Sequence, residues 1–347
     1  MTAAGPGRPQ IAHCGAIALG TPRLETSLAF FRDVLGMEEV ERTGDTVYLR
    51  GYQELKHHSL VLFQNDTATV DSYSFRVQRP EDLDLFEEQL SAQGVEVAEL
   101  PAGHQAGRGA ALRFVVPYAG HAFELYYDID APKAPEEIAS RLKSNSSRRR
   151  GLGARRLDHY NIQASPENVG NAEQWLRESL GFKRREYVYV PENDFLIASW
   201  TSVTSQVHDL AIAMSMSGED AQLHHVAFNI ENHSDLLTAA DTLRDLDVKF
   251  HCGPGKHGIG QAMYLYVEEP GSGHRIELYS GNYHIFDPDW EALGWTPAEP
   301  DGMTWFGQEL DVTQGGTMAT STDSVSSVKS LIGTPVAAER NPDQGST

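Results

Sequence analysis

The sequence predicts an α+β fold in which four βαβββ modules pair into two similar halves. Strand-like runs and amphipathic helices follow one order, a strand, a helix and then three strands, and the order recurs along the chain. The halves also align with each other. Ile11-Ala12-His13 matches Leu157-Asp158-His159 at an offset of 146 residues, and Phe75-Arg76-Val77 matches Phe228-Asn229-Ile230 at 153. Gly120-His121-Ala122-Phe123-Glu124-Leu125-Tyr126 matches Gly273-His274-Arg275-Ile276-Glu277-Leu278-Tyr279, again at 153. An internal repeat of this kind marks a duplicated structural unit.

In chain order, Ile11–Ile17 reads as the first strand. Thr21 as N-cap and Pro22 at the first helical position open a helix with Leu24, Leu28, Phe31 and Leu35 as its apolar stripe, and Gly36 suits the stop. Strand-like runs follow at Thr46–Arg50, Ser59–Phe63 and Ser72–Val77, then a helix over 80–93 with Leu83, Phe86 and Leu90 on one face. Val95–Leu100, Ala111–Val116 and Ala122–Tyr126 complete the half. The second half repeats the order. Its first helix opens at Ser165-Pro166-Glu167, carries Val169, Ala172, Leu176 and Leu180 on one face and stops at Gly181, and its second covers Ser234 to Asp245. Its strands fall at the His159 segment, Glu186–Val190, Phe195–Ser199, Val207–Met214, the His225 segment, Val248–His251, Met263–Glu268 and His274–Tyr279. Trp290, Trp295 and Trp305 suggest a packed extension beyond it. The expected organisation is a flexible arm (1–10), a first half (11–132), a basic linker (133–156), a second half with its extension (157–312) and a disordered tail (313–347). The linker, with Arg148–Arg150, Arg155 and Arg156, reads as a solvated stretch packing on the protein's own acidic surface or on a sister subunit.

A net charge of −21 argues against affinity for nucleic acid or an anionic membrane. No apolar run approaches the roughly 18 residues needed to cross a bilayer, and Met1 to Gln10 lacks a signal-peptide core. Cys14 and Cys252 are the two cysteines, too few for a disulfide framework, so a reducing cytoplasm is expected. Of 14 histidines, 9 lie between His159 and His284.

Three alternating segments concentrate the chemistry. Arg156-Leu157-Asp158-His159-Tyr160-Asn161-Ile162 groups His159 with Asn161 and Gln163 on one face. Leu223-His224-His225-Val226-Ala227-Phe228-Asn229 sets His225 with Ala227 and Asn229, opposite Val226 and Phe228. Arg275-Ile276-Glu277-Leu278-Tyr279 sets Glu277 opposite Ile276 and Leu278. Alternation marks half-buried strands, and two imidazoles with one carboxylate are the ligand set of a non-haem Fe(II) facial triad, with positions open for substrate and dioxygen. His224 shares its face with Val226 and Phe228 and is expected to be a packed core histidine. The first half keeps His13 and Glu124 at two of the three ligand positions but has Ser72 at that of His225, so the site is expected in the second half alone.

Four βαβββ units in two halves resemble the vicinal oxygen chelate fold. Arg156-Leu157-Asp158-His159, Val207-His208-Asp209, Leu223-His224-His225, Gly255-Lys256-His257-Gly258 and Tyr264-Leu265-Tyr266 with Gly273-His274-Arg275-Ile276-Glu277 together resemble the type I extradiol ring-cleaving dioxygenases, catechol 2,3-dioxygenase and homoprotocatechuate 2,3-dioxygenase in particular. The resemblance runs from about Ile11 to Trp305. It implies Fe(II), or Mn(II) in some relatives, on His159, His225 and Glu277. It further implies His208 as acid–base group, His257 and Tyr266 as donors to the substrate oxygens, and Asn161 and Trp200 lining the dioxygen and ring pocket. The substrates would be an aromatic diol and O2, and the assembly a homotetramer. One departure bears on substrate. The homoprotocatechuate branch is expected to grip a carboxylate with arginines before the Gly-Pro-Gly loop and in the C-terminal extension, where this chain has Phe250-His251-Cys252 and Pro300-Asp301-Gly302-Met303. A carboxylate buried without a cation is costly, so catechol or an alkyl- or halo-catechol is expected. The rivals are a homoprotocatechuate dioxygenase, a glyoxalase-type lyase or isomerase, whose ligands usually come from both halves, and a metal-free binding protein.

Overall fold

A computed structural model describes residues 7–133, 136 and 146–308. The expected tail, most of the arm and part of the linker lie outside the described residues.

The first half runs β1 (Ile11–Thr21), α1 (Leu24–Ala29) continued by a π-helical turn (Phe30–Val34), β2 (Glu38–Thr43), β3 (Thr46–Arg50), β4 (Leu60–Gln64), β5 (Thr69–Val77), α2 (Asp82–Ala92), β6 (Val97–Leu100), β7 (Ala111–Val115) and β8 (Ala122–Tyr126). The second runs β9 (Arg156–Ala164), α3 (Val169–Leu180), β10 (Lys183–Val190), β11 (Phe195–Ser202), β12 (Leu210–Met214), β13 (Gln222–Asn229), α4 (His233–Asp245), β14 (Phe250–Lys256), β15 (Met263–Glu268) and β16 (Arg275–Ser280). Two short strands, β17 (Leu293–Trp295) and β18 (Phe306–Gly307), belong to the C-terminal extension.

Each half is one sheet, ordered β2-β3-β4-β1-β5-β8-β7-β6 and β17-β10-β11-β12-β9-β13-β16-β15-β14-β18. The first and last strands of each module pair in parallel, and the two modules of a half join antiparallel through β1–β5 or β9–β13. This is the expected four-module α+β fold. Two details differ from the sequence reading. Strand β2 carries Glu38-Glu39-Val40-Glu41-Arg42-Thr43, pairs only with β3 and is exposed over its last three residues, so an edge strand with two wet faces shows no alternation to read. Thr21 is the last residue of β1, paired with Gln64, and α1 starts at Leu24 without a side-chain cap.

One apolar core runs through both halves. Phe75 meets Tyr160 and Phe182 edge-on at ring separations of 5.5 and 5.6 Å, and Phe31 meets Phe228 at 5.9 Å. Repeat-related histidines clasp the halves reciprocally. His121 of the first reaches the Gln222 carbonyl at 2.9 Å, and His274 of the second reaches the Gly20 carbonyl at 3.1 Å.

The β9–β13 ladder contains two bulges. Its register slips once at Asp158, between the pairs Phe228–Leu157 and Ala227–His159, and once at His224, between Leu223–Ile162 and His225–Asn161. The first half slips at the repeat-related places, Ala12 in β1 and Asp71 in β5. Bulges re-aim side chains. These two stand beside His159 and His225.

Candidate metal centre

Strands β9, β13 and β16 lie side by side, and their register sets the chemistry on one face. His159 stands opposite Ala227, Ala227 opposite Glu277, and Glu277 opposite Tyr266. One step along, His225 stands opposite Asn161, which stands opposite Ala211, which stands opposite Trp200. The ligand atoms of His159, His225 and Glu277 all lie within 4.8 Å of one another and are buried. His159 Nε2 is 3.1 Å from His225 Nε2, and each of these nitrogens is 3.0 Å from Glu277 Oε2.

The electrostatics are those of a cation site. Burial opposes the charge on His159, yet Asp158 and Glu277 outweigh it and hold the imidazole up at about 9. Burial takes His225 down to about 4. Burial also opposes the Glu277 carboxylate, but His225 and His159 pull it well below the ordinary range. Without metal, the cluster therefore keeps one proton on His159 between two carboxylates. Glu277 Oε1 is buried without a hydrogen-bond partner. Two imidazole nitrogens and a carboxylate oxygen converging on one point, with a positive charge favoured there, fit a divalent ion of the Fe(II) or Mn(II) type.

The other expected residues gather around this cluster. His208 sits in the turn leading into β12, its ring 3.9 Å from that of His159. It is buried, which holds it neutral well below its ordinary pKa, and its Nδ1 has no partner. His257, just past β14, is half-buried. Its Nε2 lies 3.1 Å from Tyr266 Oη and 3.7 Å from Glu277 Oε1, while its Nδ1 donates to the Met303 carbonyl and its ring stacks on Tyr264 at 4.0 Å. Burial raises the Tyr266 phenol well above its ordinary pKa, so it stays a donor. Asn161 is buried with an unpartnered Oδ1. Trp200 stands two strands out on the same face, half-buried.

His224 is not the packed core histidine that the alternation suggested. The bulge breaks the alternation, leaving His224 half-buried with its Nδ1 2.6 Å from His225 Nδ1 and its Nε2 receiving Arg275 Nη1 at 2.8 Å. Trp305, read as part of a packed extension, is 56% exposed, whereas Trp295 donates to Glu186 Oε2 at 2.8 Å. Glu186 lies outside every motif of the sequence. Its buried carboxylate also accepts from Gly260 N–H at 2.7 Å and Tyr283 Oη at 2.8 Å, tying the loop behind His257 to the extension. Nothing local in Arg184-Arg185-Glu186 signals that role.

The first half has the same face without the metal cluster. Glu124 is held by Arg108 at 2.7 Å and by Arg113 at 3.3 Å, and Arg113 occupies the place of Tyr266 opposite its glutamate. His13 turns away, its Nδ1 donating to the Cys14 carbonyl at 2.6 Å. Two guanidiniums supply the positive charge that a cation would supply in the second half.

Fold and donor set together define a mononuclear metal enzyme built on paired βαβββ modules, and comparison with known proteins agrees. Residues 156–278 match the Glyoxalase/Bleomycin resistance protein/Dioxygenase superfamily, and residues 70–130 match the catechol 2,3-dioxygenase-like N-terminal domain. The chain is 46% identical to a manganese-dependent 2,3-dihydroxybiphenyl 1,2-dioxygenase of Geobacillus genomosp. 3, over 90% of this chain and 99% of that one. It is 34% identical to a metapyrocatechase of Geobacillus stearothermophilus, over 86% and 89%. Homoprotocatechuate 2,3-dioxygenase of Brevibacterium fuscum, solved with 3,4-dihydroxyphenylacetate, superposes with a TM-score of 0.80 at 29% identity, covering 90% of this chain and 94% of that one. The chain belongs to the extradiol ring-cleaving dioxygenases of this superfamily, enzymes that use Fe(II) or Mn(II).

Proposed function

We propose that the protein cleaves uncharged catechols, catechol itself and its alkyl-, halo- or aryl-substituted forms, beside the hydroxyl pair, inserting both atoms of O2 to give 2-hydroxymuconic semialdehydes, or the corresponding ketones where the cleaved ring carbon carries an alkyl or aryl group. The observation that carries this reading is the buried His159–His225–Glu277 cluster with His208 and the His257–Tyr266 pair against it. His159, His225 and Glu277 would hold the ion. When bound, Fe(II) or Mn(II) brings the diol and O2 into one coordination sphere and relays charge between them. His257 and Tyr266, already within 3.1 Å of each other, orient the diol oxygens by hydrogen bonding, and Met303 and Tyr264 fix the His257 ring. Kept neutral by burial and 3.9 Å ring to ring from His159, His208 takes up and returns one proton beside the cluster. Asn161 offers a buried amide to the dioxygen side, and Trp200 borders the ring pocket.

Substrate charge follows from what faces the site. Cys252, opposite Tyr266 in the ladder, and Gly302 occupy the places where the carboxylate-gripping arginines are expected. The guanidinium of Arg275 is buried and committed to His224. The 46%-identical relative is likewise named for an uncharged catechol. A desolvated carboxylate without a cation costs several kcal/mol, and about 1.4 kcal/mol is a factor of ten in specificity. Side-by-side kinetics should give catechol, 3-methylcatechol or 2,3-dihydroxybiphenyl at least about a tenfold higher kcat/KM than 3,4-dihydroxyphenylacetate. A preference for the phenylacetate would overturn the uncharged-substrate reading.

The same proposal divides the chain into a non-catalytic first half (11–132), a linker (133–156) and a catalytic second half (157–312), in a cytoplasmic homotetramer. The exposed apolar side chains of Phe286, Leu293, Trp305 and Phe306 support burial of further surface by assembly.

A further inference from the structure

We infer that Asp158 is a positioning residue for the metal site, locking His159 into the tautomer and orientation that present Nε2 to the ion. The inference rests on the ligand assignment above but concerns a residue outside the ligand set. Asp158 precedes His159 on a strand, so regular pleating would send the two side chains to opposite faces. The bulge at Asp158 removes that constraint, and its carboxylate turns back under the ring of its neighbour. Oδ1 receives His159 Nδ1–H at 3.0 Å, while Oδ2 receives Arg156 Nη2 at 3.0 Å and Asn229 Nδ2 at 3.3 Å. The residue is 1% exposed, and both of its oxygens are occupied.

A neutral imidazole has one N–H and one lone pair, and the partner of the first decides where the second points. With Nδ1–H tied to an anion, the lone pair is left on Nε2, the atom 3.1 Å from His225 Nε2 and 3.0 Å from Glu277 Oε2. The anion also makes the ring a stronger donor to a cation. Arg156 and Asn229 keep the carboxylate from following the ring.

The chain contains its own control. In the first half the bulge is retained, but its residue is Ala12. The following histidine, His13, has no carboxylate behind it and its Nδ1 bonds instead to the Cys14 carbonyl. The same backbone device, without the acid, leaves the ring unaligned.

The test is Mn(II) titration of metal-free protein, following free Mn(II) by its electron paramagnetic resonance signal, with the rate of loss to a chelator as second measurement. Asp158→Asn and Asp158→Ala should weaken Mn(II) binding by about 10–100-fold, the alanine variant more, and speed its loss. In metal-free Asp158→Asn, nitrogen NMR of a 15N-histidine sample should show the His159 Nδ1–H shifted and exchanging faster with water than in wild type. Asp158→Asn keeps the shape of the side chain, so it guards against a variant that merely fails to fold. A fall in melting temperature with unchanged Mn(II) affinity, loss rate and Nδ1–H signal would make Asp158 structural only and overturn the inference. Wild-type protein that binds no Mn(II), or binds it as well after His225→Ala, would overturn the ligand assignment instead.

Discussion

Glu277 and Glu124 occupy the same place in their respective halves, and their neighbours give them different tasks. Glu277 faces two imidazoles at 3.0 Å, side chains that can each give an Nε2 lone pair to an ion. Glu124 faces two guanidiniums, which already carry charge and cannot ligate. The difference turns on few side chains, His225 against Ser72 and Tyr266 against Arg113 among them. His225→Ala should therefore abolish Mn(II) or Fe(II) binding and turnover together. His13→Ala should leave both nearly intact, with any cost confined to stability. Metal analysis of the two purified variants decides the matter; metal lost from the second or retained by the first would move the site.

At the level of elements, the site depends on irregularities more than on the strands themselves. The bulges at Asp158 and His224 bring a side chain from the wrong face to the Nδ1 of each proposed histidine ligand. The C-terminal extension acts on the other side: Met303 receives His257 Nδ1–H, and Gln308 receives Tyr264 Oη at 2.9 Å. Glu186 anchors this arrangement through three donors from three segments. Hydrogen bonds to a buried carboxylate are stronger than neutral ones, and its removal leaves the donors unpaired. Glu186→Ala should lower stability by on the order of 2–4 kcal/mol in denaturant unfolding and raise hydrogen exchange around Gly260 and Trp295. A change within about 0.5 kcal/mol, the range of an ordinary surface substitution, would show that the carboxylate anchors nothing.

Over the whole molecule, the first half is packed against the second. Its core is continuous with that of the second, and His121 and His274 bridge the halves reciprocally. Arg149 pairs with Asp235 at 2.8 Å and Arg156 with Asp158 at 3.0 Å. Acid should reveal the cost of the arginine-filled face. Burial alone would raise the Glu124 carboxyl, but Arg108 and Arg113 outweigh it and bring it from 4.5 down to about 2. A carboxyl depressed by folding contributes stability above its unfolded pKa and loses it as pH falls through the folded value. The contribution of Glu124, about 3 kcal/mol, should be complete above pH 4.5 and disappear between 4.5 and 2. Wild type should exceed Glu124→Gln in stability at neutral pH, with the gap closing across that window. A gap independent of pH would mean that the guanidiniums do not hold the carboxylate.

Much of this was legible in the chain because period and repetition are local properties. Alternation located the strands bearing His159, His225 and Glu277, the apolar stripes located the helices, and the offset of 153 residues aligned Ser72 of the first half with His225. Only the tertiary structure could decide what depends on register between strands distant in sequence. A one-residue slip reverses the facing of a side chain, so the slips at Asp158 and His224 changed the outcome at both positions while leaving the sequence pattern intact. The same holds for Glu186, whose three partners lie 74, 97 and 109 residues away along the chain, beyond the reach of any local pattern.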